Sequence, residues 1–431
     1  MDQAWYVSAT QWVLRGTDAS ARNLEGKRVK LRRGVPHRLL GRPVTGPQAV
    51  TVSLQVRDED LNTVLGLGER LAMRAGSQFC RVYRDLAVVR VEYTLPRGAW
   101  REVRLRDLPH RPNAATVGQR ALGPSARVGW DPPHKAMFGG TQSGKTVCLS
   151  DFVISLAKHG PEMYSFVIVN PKNDPKLNVF ERLAHLAAPV ATNYDDSLAL
   201  LKFATAEMER RRADHQRAAD GPRWVVVVDE VAQLCEVEAS AGGYITQITQ
   251  MAGGLRMHLV AASQAANPSV FGAKGSLAKA NFGGRLIFQL PHDQSYLACG
   301  LKGQHTELLG RGGDGLAING ERVTRFRAAL PDERDIDALP RMVAPPAWPE
   351  LDELAGDAAI EGQSWEIPPA MLAYAMEVSS SATQLQKQFG GAMAKARQVR
   401  DYLAALLEAR AALGPGLSAL SPSPSPNGGG E

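Results

Sequence analysis

Cysteine is scarce and dispersed. Four occur in 431 residues (Cys80, Cys148, Cys235 and Cys299), with no C-x-x-C pair and no histidine pair beside them. That excludes a disulfide framework and a cysteine-based metal site. It predicts buried thiols in a reducing compartment, the cytoplasm. Long apolar runs are missing too. No stretch approaches the ~20 residues of a membrane span, and Asp2 and Arg15 stand where a secretory leader would carry its apolar segment. No membrane segment is expected in this chain. Charge of either sign is uneven rather than absent. The net charge is +6, yet residues 1–130 hold 22 Lys and Arg against 11 Asp and Glu, and residues 331–378 hold 2 against 11. A basic N-terminal portion fits a polyanionic partner, and fits an ordinary solvated surface equally well.

What is present is a phosphate-binding loop. Gly139-Gly140-Thr141-Gln142-Ser143-Gly144-Lys145-Thr146, followed by Val147, fits G-x-x-x-x-G-K-[ST]. Its glycines let backbone N–H groups turn inward around phosphates, and the helix that follows presents its positive end. Lys145 is placed to reach the β- and γ-phosphates of a nucleotide, and the Thr146 hydroxyl to ligate Mg²⁺. Apolar Ala136-Met137-Phe138 precedes the loop and a helical pattern follows it. A second signal is Trp224-Val225-Val226-Val227-Val228-Asp229-Glu230, an apolar β-branched run ending in two acids. In a phosphate-loop NTPase the aspartate at such a strand end holds the metal and the glutamate polarises the attacking water. Gln264 ends the strand 259–264, either as a γ-phosphate sensor or as a plain polar terminus.

Strand and helix patterns alternate through the middle of the chain. That predicts an α/β fold, a parallel sheet with helices on both faces. A basic segment, 1–46, contains Lys27–Arg33, either an arm on nucleic acid or a solvated strand edge. A small α+β domain is expected over 47–130. It has strands at 49–56, 79–83 and 87–93, a helix closed by Gly76, and short strands at 103–105 and 127–130. The motor domain follows at 131–330, with a helical stretch over 195–219 and strands at 165–170, 224–230, 259–264 and 285–290. A Pro-rich acidic linker, 331–370, reads as a flexible tether. A basic module occupies 371–413 and a low-complexity tail 414–431. In that module Leu385 and Phe389 form one apolar face, Gly390-Gly391 a turn, and Val399, Leu403 and Leu406 a second face. Lys387, Lys395, Arg397 and Arg400 supply the charge. The spacing suits a helix-turn-helix on DNA, and also a basic hairpin that packs subunits. His134, His159 and His258 sit near the motor motifs without metal-ligand spacing and read as structural.

With these motifs placed, the chain resembles the FtsK/SpoIIIE family of DNA translocases, in the HerA–FtsK class of P-loop ATPases. The resemblance rests on Pro133-His134 before the loop, Val169-Asn170-Pro171-Lys172, Ala206-Glu207-Met208-Glu209-Arg210-Arg211, Met257-His258-Leu259-Val260 with Ser263-Gln264, and Leu308-Leu309-Gly310-Arg311-Gly312-Gly313-Asp314. It implies a RecA-like motor core over 131–330, preceded by the small α+β domain and followed by a winged-helix-like module. It also implies ATP and Mg²⁺ as cofactors, double-stranded DNA as partner, and a homo-hexameric ring with nucleotide between subunits. In that frame Lys145, Asp229, Glu230 and Gln264 are the catalytic set. An arginine from the neighbouring subunit would complete it. The family's usual position for that arginine falls at Gly253-Gly254 here, so Arg256 or Arg285 would have to substitute. Asn170 stands where the family has aspartate, and Ala265-Ala266 where it has Arg-Pro. The reading is a ring-forming, ATP-driven duplex-DNA translocase, with plasmid or mobile-element transfer as a setting. The alternative is a DNA-binding initiator or recruitment factor that uses ATP as an assembly switch.

Overall fold

The computed structural model describes residues 3–15, 21–22, 28–29, 37–85, 87–301 and 304–349. The winged-helix-like module with Lys387, Lys395, Arg397 and Arg400, the tail, and most of the basic cluster 27–33 lie outside the described residues.

The N-terminal part begins with helix α1 (Gln3–Arg15) and a two-residue ribbon, β1 (Ala21–Arg22) and β2 (Arg28–Val29). Strands β3 (His37–Leu39), β4 (Val44–Thr45) and β5 (Ala49–Val56) follow. Then come helices α2 (Leu61–Leu65) and α3 (Gly68–Ala75), and strands β6 (Cys80–Asp85) and β7 (Val88–Thr94). The sheet is antiparallel, ordered β3-β5-β7-β6, with β4 also on β5. Alternation along β5 and β7 puts Val50, Val52, Leu54, Val91 and Tyr93 into one core with Tyr6, Val13 and Leu14 of α1 and Leu71 of α3. Helix α3 ends because Gly76 adopts a left-handed φ of 63° and its N–H caps Ala72 and Met73. The segment before residue 46 is therefore not separate: α1 is part of this core.

The large sheet has nine strands. In chain order the elements are β8 (Ala114–Arg120), β9 (Ser125–Gly129), β10 (Lys135–Phe138), α4 (Lys145–Ala157), β11 (Tyr164–Val169), α5 (Pro175–Asn178), α6 (Tyr194–Ala213), α7 (His215–Asp220), β12 (Arg223–Val228), α8 (Val231–Val237) and α9 (Ala241–Met251). They continue with β13 (Met257–Ser263), α10 (Gly275–Asn281), β14 (Gly284–Ile287), α11 (His292–Cys299), β15 (Asp314–Asn319), β16 (Arg322–Ala328) and α12 (Glu333–Asp337). Strand order is β11-β12-β13-β10-β14-β15-β16-β8-β9. The unbroken valine run of β12 has a reason. Val226 and Val228 pack under α6, α8 and α9, whereas Val225 and Val227 pack with α4 on the other face. The chain leaves β10 in one direction along the sheet, to β11, and later continues on its other side as β14. This makes the carboxyl end of β10 the topological switch point, where ligands of such sheets bind.

Five sequence expectations are corrected here. The sheet is mixed, because only β10 to β14 pair in parallel and the remaining four strands are antiparallel. Residues 114–129, grouped by sequence with the small domain, pair into the large sheet through β16; short strands carry no local mark of which sheet they will join. The stretch 103–105 forms a single bridge, Arg104 to Leu330, rather than a strand. The helix expected over 195–219 breaks at Asp214, whose side chain accepts from the N–H groups of Gln216 and Arg217 and starts α7. The start of the acidic linker is also docked, not free. Asp332 and Asp335 close a capping box on α12, Leu339 is buried, and Ala184 and Met342 bond Pro340 and Arg182 across the contact.

Candidate nucleotide site

The loop between β10 and α4 is shaped by its glycines. Gly144 has φ +105°, and a Cβ there would lie 2.6 Å from the Gly313 nitrogen; at Gly139 it would lie 2.5 Å from Ser143 Oγ and 2.8 Å from Phe288 Cβ. Gln142 sits at φ 62°, a conformation most side chains avoid. The loop is tied from outside. Gly140 N–H donates to Gln289 O at 2.9 Å, Gly139 N–H to Ser263 O at 3.2 Å, and Gly313 N–H to Ser143 O at 2.7 Å. Ser143 Oγ is buried with no hydrogen-bond partner in the protein.

The side chains expected to act together do meet. Lys145 Nζ lies 3.1 Å from Asp229 Oδ1 and 2.7 Å from Glu230 Oε1, all three at the carboxyl edge of β10 and β12. Thr146 Oγ1 is 3.4 Å from Asp229 Oδ2, so a hydroxyl and a carboxylate stand side by side, the hard oxygen pair that Mg²⁺ takes. Gln264 spans the gap: its Nε2 donates to Glu230 Oε1 at 3.0 Å and its Oε1 accepts from Thr141 at 3.4 Å. Burial pushes the Glu230 carboxyl up, but Lys145, Gln264 and Lys172 outweigh it and hold the group below its ordinary value, ionised as a base must be. Its backbone is left-handed at φ 50°, a strained turn that aims the carboxylate back at the loop. The loop glycines, the orphaned serine hydroxyl and the Lys-Thr-Asp-Glu set fit a Mg²⁺–nucleoside triphosphate.

Lys172 was missed as a site residue, although it lies in the 169–172 motif; its Nζ reaches Glu230 Oε2 at 3.3 Å. Arg256 and Arg285 do not join the site within one chain. Both stand at the amino-terminal edge of the parallel strands. Arg256 donates to Ala219 O, and Arg285 to Phe282 O at 3.2 Å and Cys299 O at 2.9 Å. Two of the three histidines make contacts within the fold. His258 stacks on Trp130 at 4.2 Å with Nδ1 against Pro133 O at 2.9 Å, and His134 Nδ1 accepts from Leu259 N–H at 3.0 Å.

A model of the FtsK/SpoIIIE family matches residues 90–218, which include the phosphate loop. The chain is 28% identical to "DNA translocase FtsK" of Caulobacter vibrioides over 365 residues, spanning 69% of this chain and 44% of that protein. It is 26% identical to "DNA translocase SpoIIIE" of Bacillus subtilis over 347 residues, spanning 73% and 43%. The chain is thus similar to the FtsK/SpoIIIE family, through residues that hold its phosphate loop. It spans less than half the length of these two relatives. Among solved structures it is similar to the pCW3 conjugation coupling protein TcpA with ATPγS (16% identity, TM-score 0.49, 77% of this chain and 96% of that one). It is also similar to the cytoplasmic domain of the Type VII secretion ATPase EccC of Thermomonospora curvata (23%, TM-score 0.45, 52% and 29%).

Two of the motifs shared with that family make local structural contacts. Glu207, buried, accepts from Arg211 at 2.9 Å and from Arg210 and Arg217, fastening α6 to α7. Asn170 uses both ends of its amide. Its Nδ2 donates to Asp174 O and Asn178 Oδ1, and its Oδ1 accepts from Asp174 N–H, a pattern an aspartate cannot make. No described helix is long and apolar enough to cross a membrane.

Proposed function

We propose that the chain is an ATP-driven double-stranded DNA translocase working as a homo-hexameric ring. The observation that carries this is the Lys145–Asp229–Glu230–Gln264 constellation at the switch point of the sheet, in a chain whose relatives are named DNA translocases. Lys145 and the loop N–H groups hold the β- and γ-phosphates, and Thr146 and Asp229 hold Mg²⁺, which would supply charge neutralisation when bound. Glu230 takes the proton of the attacking water. Gln264, touching both Glu230 and Thr141, relays γ-phosphate status. Contacts to duplex would be sequence-tolerant and salt-dependent, with Lys387, Lys395, Arg397 and Arg400 adding orientation or loading.

One observation favours a second reading, a DNA-binding factor that uses ATP as an assembly switch: both arginines available to act in trans are bonded to carbonyls of their own chain. The rate of ATP hydrolysis with and without long duplex, across a salt series, separates the two. A rate that rises with duplex length and falls with salt supports the motor; a slow rate indifferent to DNA supports the switch.

A further inference from the structure

The amino-terminal edge of the large sheet carries an unexplained concentration of cations. A cavity of about 270 Å³ there is lined by Arg120 of β8, Arg127 of β9, Lys135 of β10, Arg285 of β14 and Arg322 of β16, against Asp131. Strands β15 and β16 intervene in the sheet between β14 and β8, and residues of β9 and β14 both line this open cleft. The cavity is distinct from the nucleotide site. Lys135 begins the strand whose other end is the phosphate loop, about 10 Å away at the rise of a strand.

Part of its lining is unsatisfied, although Lys135 Nζ donates to Pro132 O and Arg285 to Phe282 O and Cys299 O. Arg120 Nε, Arg127 Nε and Ser125 Oγ are all buried without a hydrogen-bond partner, and Ser125 is 4% exposed. Burial, and then the neighbouring Arg111 and Arg120, hold the Arg127 guanidinium below its ordinary value. Burial pushes the Lys135 ammonium down to about 8, with Asp131 opposing. Buried donors left unpaired cost about 1–3 kcal/mol each, more when charged, and like charges in a sheltered space repel. One occupant removes every one of these penalties: an anion with several acceptor oxygens. The donors come from β8, from two positions on β9 and, opposite, from β10. A tetrahedral anion offers oxygens in all those directions, whereas a carboxylate offers two in one plane.

We propose that this cavity is a phosphate-binding site, in which Arg120, Arg127, Ser125 and Lys135 hold one phosphate group. The group is either free phosphate or a backbone phosphate of nucleic acid. The site does not depend on the motor reading.

The test uses the full chain with its phosphate loop filled by a non-hydrolysable ATP analogue and Mg²⁺. Inorganic phosphate is titrated by calorimetry, and the Tm is followed. One further equivalent of phosphate should bind and raise the Tm. Arg120→Met with Arg127→Met should weaken that binding at least tenfold while leaving the phosphate-free Tm unchanged or higher, because the uncompensated charges are gone. Should the double variant fail to fold, Ser125→Ala gives the second reading, a several-fold weaker site in an otherwise normal protein. Competition by a short duplex identifies a backbone phosphate as the occupant, and indifference to duplex identifies a free one. No phosphate uptake beyond the nucleotide site, or uptake untouched by these substitutions, overturns the proposal.

Discussion

Arg325 and Asp314 form a closed pair in the interior, with Nη2 to Oδ2 at 2.7 Å and Nε to Oδ1 at 2.9 Å, both side chains fully buried. The pair joins the two sheets. Arg325 also donates to Thr94 of β7 at 2.9 Å, and Asp314 accepts from Gln48 of the small domain and from the Gly310 N–H. Gly310 lies flat against Trp100, and two residues on, Gly312 and Gly313 donate to the carbonyls of Gln142 and Ser143. The small domain thus braces the turn that braces the phosphate loop.

Asp314→Ala leaves the Arg325 charge buried and unpaired, which costs about 3–5 kcal/mol. Urea unfolding should show that loss, and nucleotide affinity should fall with it because the 310–313 turn loses its anchor. Asp314→Leu combined with Arg325→Met should recover most of the stability. If the single variant melts like the parent, the brace is not a structural pillar.

Glu230→Gln removes the base but keeps a side chain of the same shape beside Lys145. ATP hydrolysis should drop on the order of 10²–10⁴-fold while nucleotide binding persists. A variant that hydrolyses normally would assign the water-activating role elsewhere.

Gly144→Ala meets two obstacles, a φ of +105° and backbone nitrogen at 2.6 Å. It should cost about 1–3 kcal/mol and abolish nucleotide binding measured by fluorescence titration. Gly243→Ala is the control: its Cβ would meet nothing within 4 Å, and it sits in helix α9. That substitution should stabilise by about 0.5–1 kcal/mol.

Three buried histidines make the fold acid-sensitive. Burial holds His134 and His185 down at about 4, and burial with Arg223 holds His258 at about 2. Each is neutral in the folded chain, whereas the unfolded chain takes up protons below about 6.5. Their stabilisation is complete above pH 6.5 and declines as pH falls towards 4, by about 2 kcal/mol per histidine at pH 5. Unfolding midpoints at pH 7.5, 6 and 5 measure this slope, and a flat profile would contradict the neutral assignment.

Much of the nucleotide site was legible because its requirements are local. Glycine conformations at 139 and 144, a lysine at the first turn of a helix, and an apolar strand ending in Asp229-Glu230 all follow from short-range geometry. Lys172 escaped notice because a lysine after a proline has no local mark of function; only the packing of β11 beside β12 brings it to Glu230. Assignment of β8 and β9 to the small domain failed for the same reason, since β8 joins the large sheet through β16, far along the chain, and carries β9 with it.

Sequence alone thus established the phosphate loop, its acidic partners and the alternation of strand and helix, all matters of residue type at fixed spacing. Tertiary structure decided which sheet each short strand joined and where the candidate trans arginines point. It also closed Arg325 onto Thr94 across 231 positions, and it gathered five cations and an unpaired serine into one cavity. Hydrogen bonds and charge repulsion act through space, and no periodicity along the chain records which distant residues will come to share it.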